Sequence, residues 1–93
     1  MVAIKFATEA YLDLKRLRAH DRPTIMDAIG RYLTGSELLL GRRIRLLHLA
    51  DGTDIYRLRV GDHRVFVDLD ADAGLIVVRS IRRKGRRTTE EIL

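Results

Sequence analysis

Fifteen of the 18 cationic side chains in this sequence are arginine, and their placement is its first chemical signal. Arginine stays protonated and presents a planar fork of donors, which suits bidentate contact with phosphate or carboxylate. In the segment Tyr56-Arg-Leu-Arg-Val-Gly-Asp-His-Arg-Val-Phe-Val67, Arg57 and Arg59 precede a turn and Arg64 follows it. A second group, Arg79-Ser-Ile-Arg82-Arg83-Lys84-Gly-Arg86-Arg87, closes the chain with more cations. Together these residues could bind anions and stabilise negative charge, but arginine is a poor donor or acceptor in proton transfer. The three histidines, His20, His48 and His63, are the natural proton carriers. His20 and His48 fall near turns and read as surface residues, and His63 reads as a rim or packing residue of the hairpin tip. There is no cysteine, so disulfides, thiolate metal sites and cysteine nucleophiles are excluded.

The arginines need a scaffold, and the pattern around them supplies one. Residues Ile55 to Val60 and His63 to Leu69 are β-rich runs around the two-residue loop Gly61-Asp62, a strong hairpin signal. That loop length sets Val60 opposite His63, Arg59 opposite Arg64, Leu58 opposite Val65, Arg57 opposite Phe66 and Tyr56 opposite Val67. Tyr56, Leu58, Val60, Val65, Val67 and Leu69 then share the core face, and Arg57, Arg59 and Arg64 share the other. Like charges directly opposite on a sheet are unfavourable, by about 0.2–1 kcal/mol. An anionic partner at Arg59 and Arg64 would relieve that repulsion. The last strand is expected to bring Arg82, Arg83 and Lys84 to the same region.

The rest of the chain reads as follows. Val2, Ile4 and Phe6 alternate as a short strand. Thr8 is the expected cap of a helix from about Glu9 to Ala19, with Ala10, Tyr11, Leu14 and Leu17 on its apolar stripe and Asp13 on its polar side. Asp21-Arg22-Pro23 restarts a second helix through Ile25, Met26, Ile29, Tyr32 and Leu33, which Gly35 is expected to end. Ile44, Leu46 and Leu49 suggest another strand, and Leu75 to Ile81 a central one. Thr88 and Glu91 have capping-box spacing, with room for a single helical turn after them. The fold class is therefore α+β: an N-terminal strand, a two-helix hairpin, then three or four antiparallel strands in a small sheet.

Ninety-three residues at 10.7 kDa suit one domain, residues 1–93, whose 46% apolar content can fill a core without staples. The net charge is +5 and the pI about 10.2, which points to nucleic acid or an acidic protein segment as partner. Most of the surplus lies at the end, where residues 75–93 hold six cations against Glu90 and Glu91. No apolar run reaches the length of a membrane span and the N-terminus has no signal-peptide core, so a soluble, cytoplasmic protein is expected. No motif calls for a metal or cofactor.

The stretch from about residue 55 to 84, with its R-x-R-V-G-D-x-R-V string, apolar strand and basic ending Ser80-Ile-Arg-Arg-Lys84, resembles the RelE/ParE superfamily of bacterial type II toxins. The resemblance implies a four-stranded antiparallel sheet with two N-terminal helices. It also implies a cognate antitoxin, and because that partner must cover an arginine-rich surface its docking segment is expected to be acidic or amphipathic. For the RelE branch it implies ribosome-associated cleavage of mRNA. The branch's basic pair then falls on Arg57 and Arg59, its arginine after the turn on Arg64, and its C-terminal basic residue on Arg83 or Lys84. Arg59, Arg64 and Arg83 are the implied catalytic residues, with Arg57, Arg82, Lys84, Arg86 and Arg87 as phosphate contacts. The chain departs from that branch in one respect: where a Tyr usually follows the basic residues it has Thr88 and Thr89, and no aromatic residue follows Phe66. The ParE branch, which inhibits DNA gyrase by binding, is the alternative.

Overall fold

The computed structural model describes residues 3–33, 41–70 and 72–93. Val2 and Gly35, expected in the first strand and at the end of the second helix, lie outside them. The elements are β1 (Ala3–Phe6), α1 (Thr8–Arg16), α2 (Asp21–Tyr32), β2 (Ile44–His48), β3 (Asp54–Val60), β4 (His63–Asp70), β5 (Leu75–Arg83) and α3 (Thr89–Ile92). The sheet order is β1-β5-β4-β3-β2. The four later strands are antiparallel neighbours, and β1 lies parallel to β5 at one edge. The architecture is the expected α+β class, with β1 adding a parallel fifth strand.

The β3–β4 register is the one the loop length predicts, from Tyr56 opposite Val67 to Val60 opposite His63. Gly61 has φ +57 while no non-glycine residue described has positive φ, a combination that fits a type II′ hairpin turn. One sheet face is covered by the helices. Ala10, Ile25, Ala28, Ile29 and Leu33 pack there on Ile44, Leu58, Val60, Val65, Val67, Ile76, Val78 and Ile81, with Tyr56 and Leu69 alongside. A β-bulge between Phe66 and Val67 on β4 inserts Arg79 as the extra residue on β5, so Val78 and Ile81 both face this core.

Three local expectations are corrected. Helix α1 begins at Thr8, with Ala7 as its cap and no side-chain capping bond, so Thr8 is its first residue. It ends at Arg16, because Leu17 is extended at ψ 150. Arg22 holds this early end, its Nε donating to Leu14 O at 3.1 Å and its Nη2 to Lys15 O at 2.8 Å. Asp13 is buried rather than solvent-facing, with 5% of its surface exposed. β1 stops opposite Val78, and beyond it the free edge of β5 needs an acceptor. Asp13 provides it, its Oδ2 accepting from Ile81 N at 2.9 Å.

The second sheet face is partly covered. Phe66 and Ile92 are buried outside the helix-side core. The turn α3 is fixed by the capping box foreseen in the sequence, with Glu91 N donating to Thr88 Oγ1 and Thr88 N to Glu91 Oε1.

Candidate functional site

Sheet register puts arginines opposite one another on the face away from the helices. Arg45 on β2 lies opposite Arg57 on β3, and Arg59 on β3 opposite Arg64 on β4. These are two consecutive like-charge rungs. Arg45 is absent from the sequence-based set, although the alternation of Ile44 and Leu46 would have found it.

The two inner arginines are held rigidly. Arg57 is only 9% exposed, and its Nη2 donates to Arg42 O at 2.9 Å. Arg64 Nη1 donates to Gly61 O and to His63 O, both at 2.9 Å, which fixes its guanidinium against the hairpin tip. In each case the Nε is buried without a hydrogen-bond partner. A buried donor left unmatched costs about 1–3 kcal/mol, and more for a charged group. Arg59 is exposed, with no side-chain partner among the described residues, and its backbone is tied to Arg43.

The electrostatics reflect this crowding. Burial, then the charges of Arg64, Arg45 and Arg59, push the Arg57 guanidinium below its ordinary value. Burial and then Arg59 do the same to Arg64, against a smaller opposing effect of Asp62. Both remain cations, because arginine does not lose its proton in proteins. The face therefore holds positive charge against its own repulsion, a state that an anion would relieve. Nearby carboxylates are engaged elsewhere: Asp62 with Arg83, Asp68 with Arg79, and Asp54 with His48.

The C-terminal cations part from this cluster. Arg82 lies opposite Arg64 but its guanidinium turns around the free edge of β5 to α1, meeting Asp13 Oδ2 at 2.5 Å and also Glu9. Burial alone would lower its pKa, but Asp13 and Glu9 outweigh that and raise it. Arg83 lies opposite His63, hence on the helix side of the sheet, and its Nε donates to Asp62 Oδ2 at 3.0 Å. That bond holds the Asp62 carboxyl below the usual carboxylate range. Arg83 and His63 line a cleft of about 460 Å³ between the hairpin tip and the α1–α2 connection. Alternation returns Lys84 to the Arg64 side, and its N–H bonds Asp62 O. Arg86 and Arg87 are exposed after β5, with Arg87 Nη2 donating to Arg83 O at 2.5 Å. The structure thus brings Arg57, Arg59 and Arg64 together, and sets Arg82 and Arg83 apart from them.

Among the described residues no three His, Asp or Glu side chains converge as a metal site would require. No helix among them is long and apolar enough to cross a membrane.

No family model and no curated protein matches the chain. Solved structures do, and they define its class as the α+β fold of the RelE toxins. The archaeal RelE–RelB complex from Pyrococcus horikoshii matches with a TM-score of 0.66 at 19% identity, over 91% of this chain and 97% of that one. A metal-bound toxin from Helicobacter pylori gives 0.69 at 16% identity, with 100% of both chains covered. The RelB–RelE antitoxin–toxin complex from Methanococcus jannaschii gives 0.61 at 21% identity, over 86% of this chain and 89% of that one.

Proposed function

We propose that this chain is the toxin of a toxin–antitoxin pair, of RelE type, and acts on mRNA at the ribosome through its arginine face. The observation that carries the reading is the set of arginines that register gathers on one face: Arg59, exposed and without a side-chain partner among the described residues, beside Arg57 and Arg64, which backbone carbonyls hold in place. Positive charge fixed in this way needs no reorganisation when negative charge develops on a phosphate bound at Arg59. The fold shared with RelE toxins supports the class.

In the proposed reaction the RNA 2′ oxygen bonds to the adjacent phosphorus as its proton leaves. The bond to the 5′ oxygen breaks, and that oxygen takes up a proton. Arg59, the exposed member, meets the non-bridging oxygens, and the fixed guanidiniums of Arg57 and Arg64 add positive charge beside it. Arg82 acts as a structural tie to α1, which removes it from the phosphate contacts. Lys84, Arg86 and Arg87 extend the positive field along the outgoing strand. None of these cations carries the protons, and His63 faces the other side of the sheet. The chain therefore contributes charge stabilisation, and the proton carriers come from outside the arginine face. The antitoxin in this reading docks an acidic or amphipathic segment over the arginines, replacing the phosphate with carboxylates.

Translation of a defined transcript in a purified system, with primer extension on the message, tests the proposal. Shortened message and lost protein yield on adding the chain are expected. Intact message with normal yield would overturn it, and inhibited DNA supercoiling with intact message would select the gyrase-binding alternative.

A further inference from the structure

The cleft on the helix side of the hairpin tip takes no part in that reading. It opens because α1 stops at Arg16 and the chain runs extended through Leu17 before α2 begins at Asp21. The wall is braced from behind by the two bonds from Arg22 to the end of α1. Its floor is apolar: Ile25 is 1% exposed, Val60 is 7% exposed, and Leu17 is half-buried. Its rim carries three arginines against two carboxylates, Asp62, which Arg83 bonds, and Asp21, which lies 3.5 Å from the His20 ring. Arg18 is exposed and has no side-chain partner among the described residues. Arg16 keeps only a 3.9 Å contact with Asp13. Arg83 commits its Nε to Asp62, and the rings of His20 and His63 complete the rim. The volume, about 460 Å³, falls in the range of about 300–1,000 Å³ in which pockets take small organic molecules.

An apolar floor under a rim of arginines and imidazoles matches a ligand with a flat ring at one end and an anion at the other. Planar bases stack on arginine and aromatic planes, and the guanidinium forks take the phosphate. The cleft adjoins the arginine face at the hairpin tip. Arg64, which faces the sheet side, bonds the carbonyls of Gly61 and His63, and both residues line the cleft. A polynucleotide that binds at Arg64 and turns over this tip would bring a neighbouring nucleotide to the cleft.

We propose that the cleft between the α1–α2 connection and the β3–β4 tip is a nucleotide subsite, receiving one nucleotide of the RNA strand whose phosphates lie on the arginine face. This rests on the RNA reading above, and two separate readouts keep the two apart.

In the first, adenosine 5′-monophosphate is titrated into the purified chain and backbone amides are followed by NMR. Saturable shifts confined to residues 18–24 and 60–63 are expected. No shift there, or equal shifts with inorganic phosphate alone, would overturn a nucleotide subsite. In the second, a labelled single-stranded RNA is bound to the chain and to Arg18→Glu and Thr24→Tyr, which reverse the rim charge and fill the cleft. Both substitutions lie at exposed positions. Each is expected to weaken RNA binding about 5-fold or more, whereas unchanged affinity in both would overturn the proposal. If the unmodified chain binds no RNA, the RNA reading fails, and the nucleotide titration alone then supports or overturns the subsite.

Discussion

At the scale of single residues, the informative feature is charge kept where the fold does not need it. Arg59 and Arg64 face each other across β3 and β4 without an intervening carboxylate, a pairing that costs about 0.2–1 kcal/mol relative to neutral neighbours. Arg59→Glu turns that repulsion into an attraction. It is therefore expected to leave the fold intact, raise the urea midpoint slightly and abolish RNA binding and growth inhibition together. A destabilised variant would show instead that Arg59 serves the fold. The pairing was legible because a two-residue loop permits one register. Arg45 was equally legible from the alternation of Ile44 and Leu46, and was missed because only the apolar positions of that segment were read. Asp13 was not legible: a carboxylate next to an apolar stripe reads as solvent-facing, and the group that makes its burial tolerable, the Ile81 N–H, is 68 residues away.

At the scale of elements, one carboxylate joins α1 to β5. Asp13 accepts from the Ile81 backbone and from Arg82 beyond the end of β1, so it serves as the missing strand at that edge. Asp13→Ala leaves a buried N–H unmatched and a half-buried guanidinium with only the exposed Glu9, and is expected to cost about 2–4 kcal/mol, read as a lower urea midpoint at unchanged m-value. Glu9→Gln, at a position whose side chain is 63% exposed, should cost about 0.5 kcal/mol or less. The β3–β4 hairpin offers a pH test. Asp62 is held below the ordinary carboxylate range, first by the hydrogen bond from Arg83. A depressed folded-state value means that its contribution is present in full above the unfolded value of about 3.9 and is lost as pH falls through the folded one. The melting-temperature gap between the wild type and Asp62→Asn should therefore close on acidification from about pH 6 to about pH 2, and a gap that stays constant would show that the pair adds nothing. The split of the C-terminal cations between faces follows from the same strand alternation. Arg82, Arg83 and Lys84 are contiguous in sequence, which invites reading them as one cluster, but adjacent residues of a strand point to opposite sides.

At the scale of the whole molecule, the net charge of +5 matters less than where its uncompensated part lies. Many cations are paired across the surface, among them Arg31 with Asp27, Arg79 with Asp68 and Arg83 with Asp62. The sheet face that carries Arg45, Arg57, Arg59 and Arg64 has no such compensation among the described residues, and the helices shield the opposite face. Binding to a polyanion should then depend on those four side chains and the cations next to them more than on bulk charge. Each phosphate neutralised on a single strand contributes a slope of about −0.7 in the logarithm of affinity against the logarithm of salt concentration. One phosphate at Arg57, Arg59 and Arg64 and a second at Arg45 predict a slope of about −1.4 for single-stranded RNA, measured by fluorescence anisotropy across a salt series. Arg45→Ala should flatten it by about 0.7, because Arg45 completes the rung opposite Arg57. Arg31→Ala removes the same unit of charge from the exposed surface of α2 and should leave the slope unchanged. Equal flattening by the two substitutions would mean that the RNA senses the net charge of the protein, and that the two arginine rungs hold no phosphate of their own.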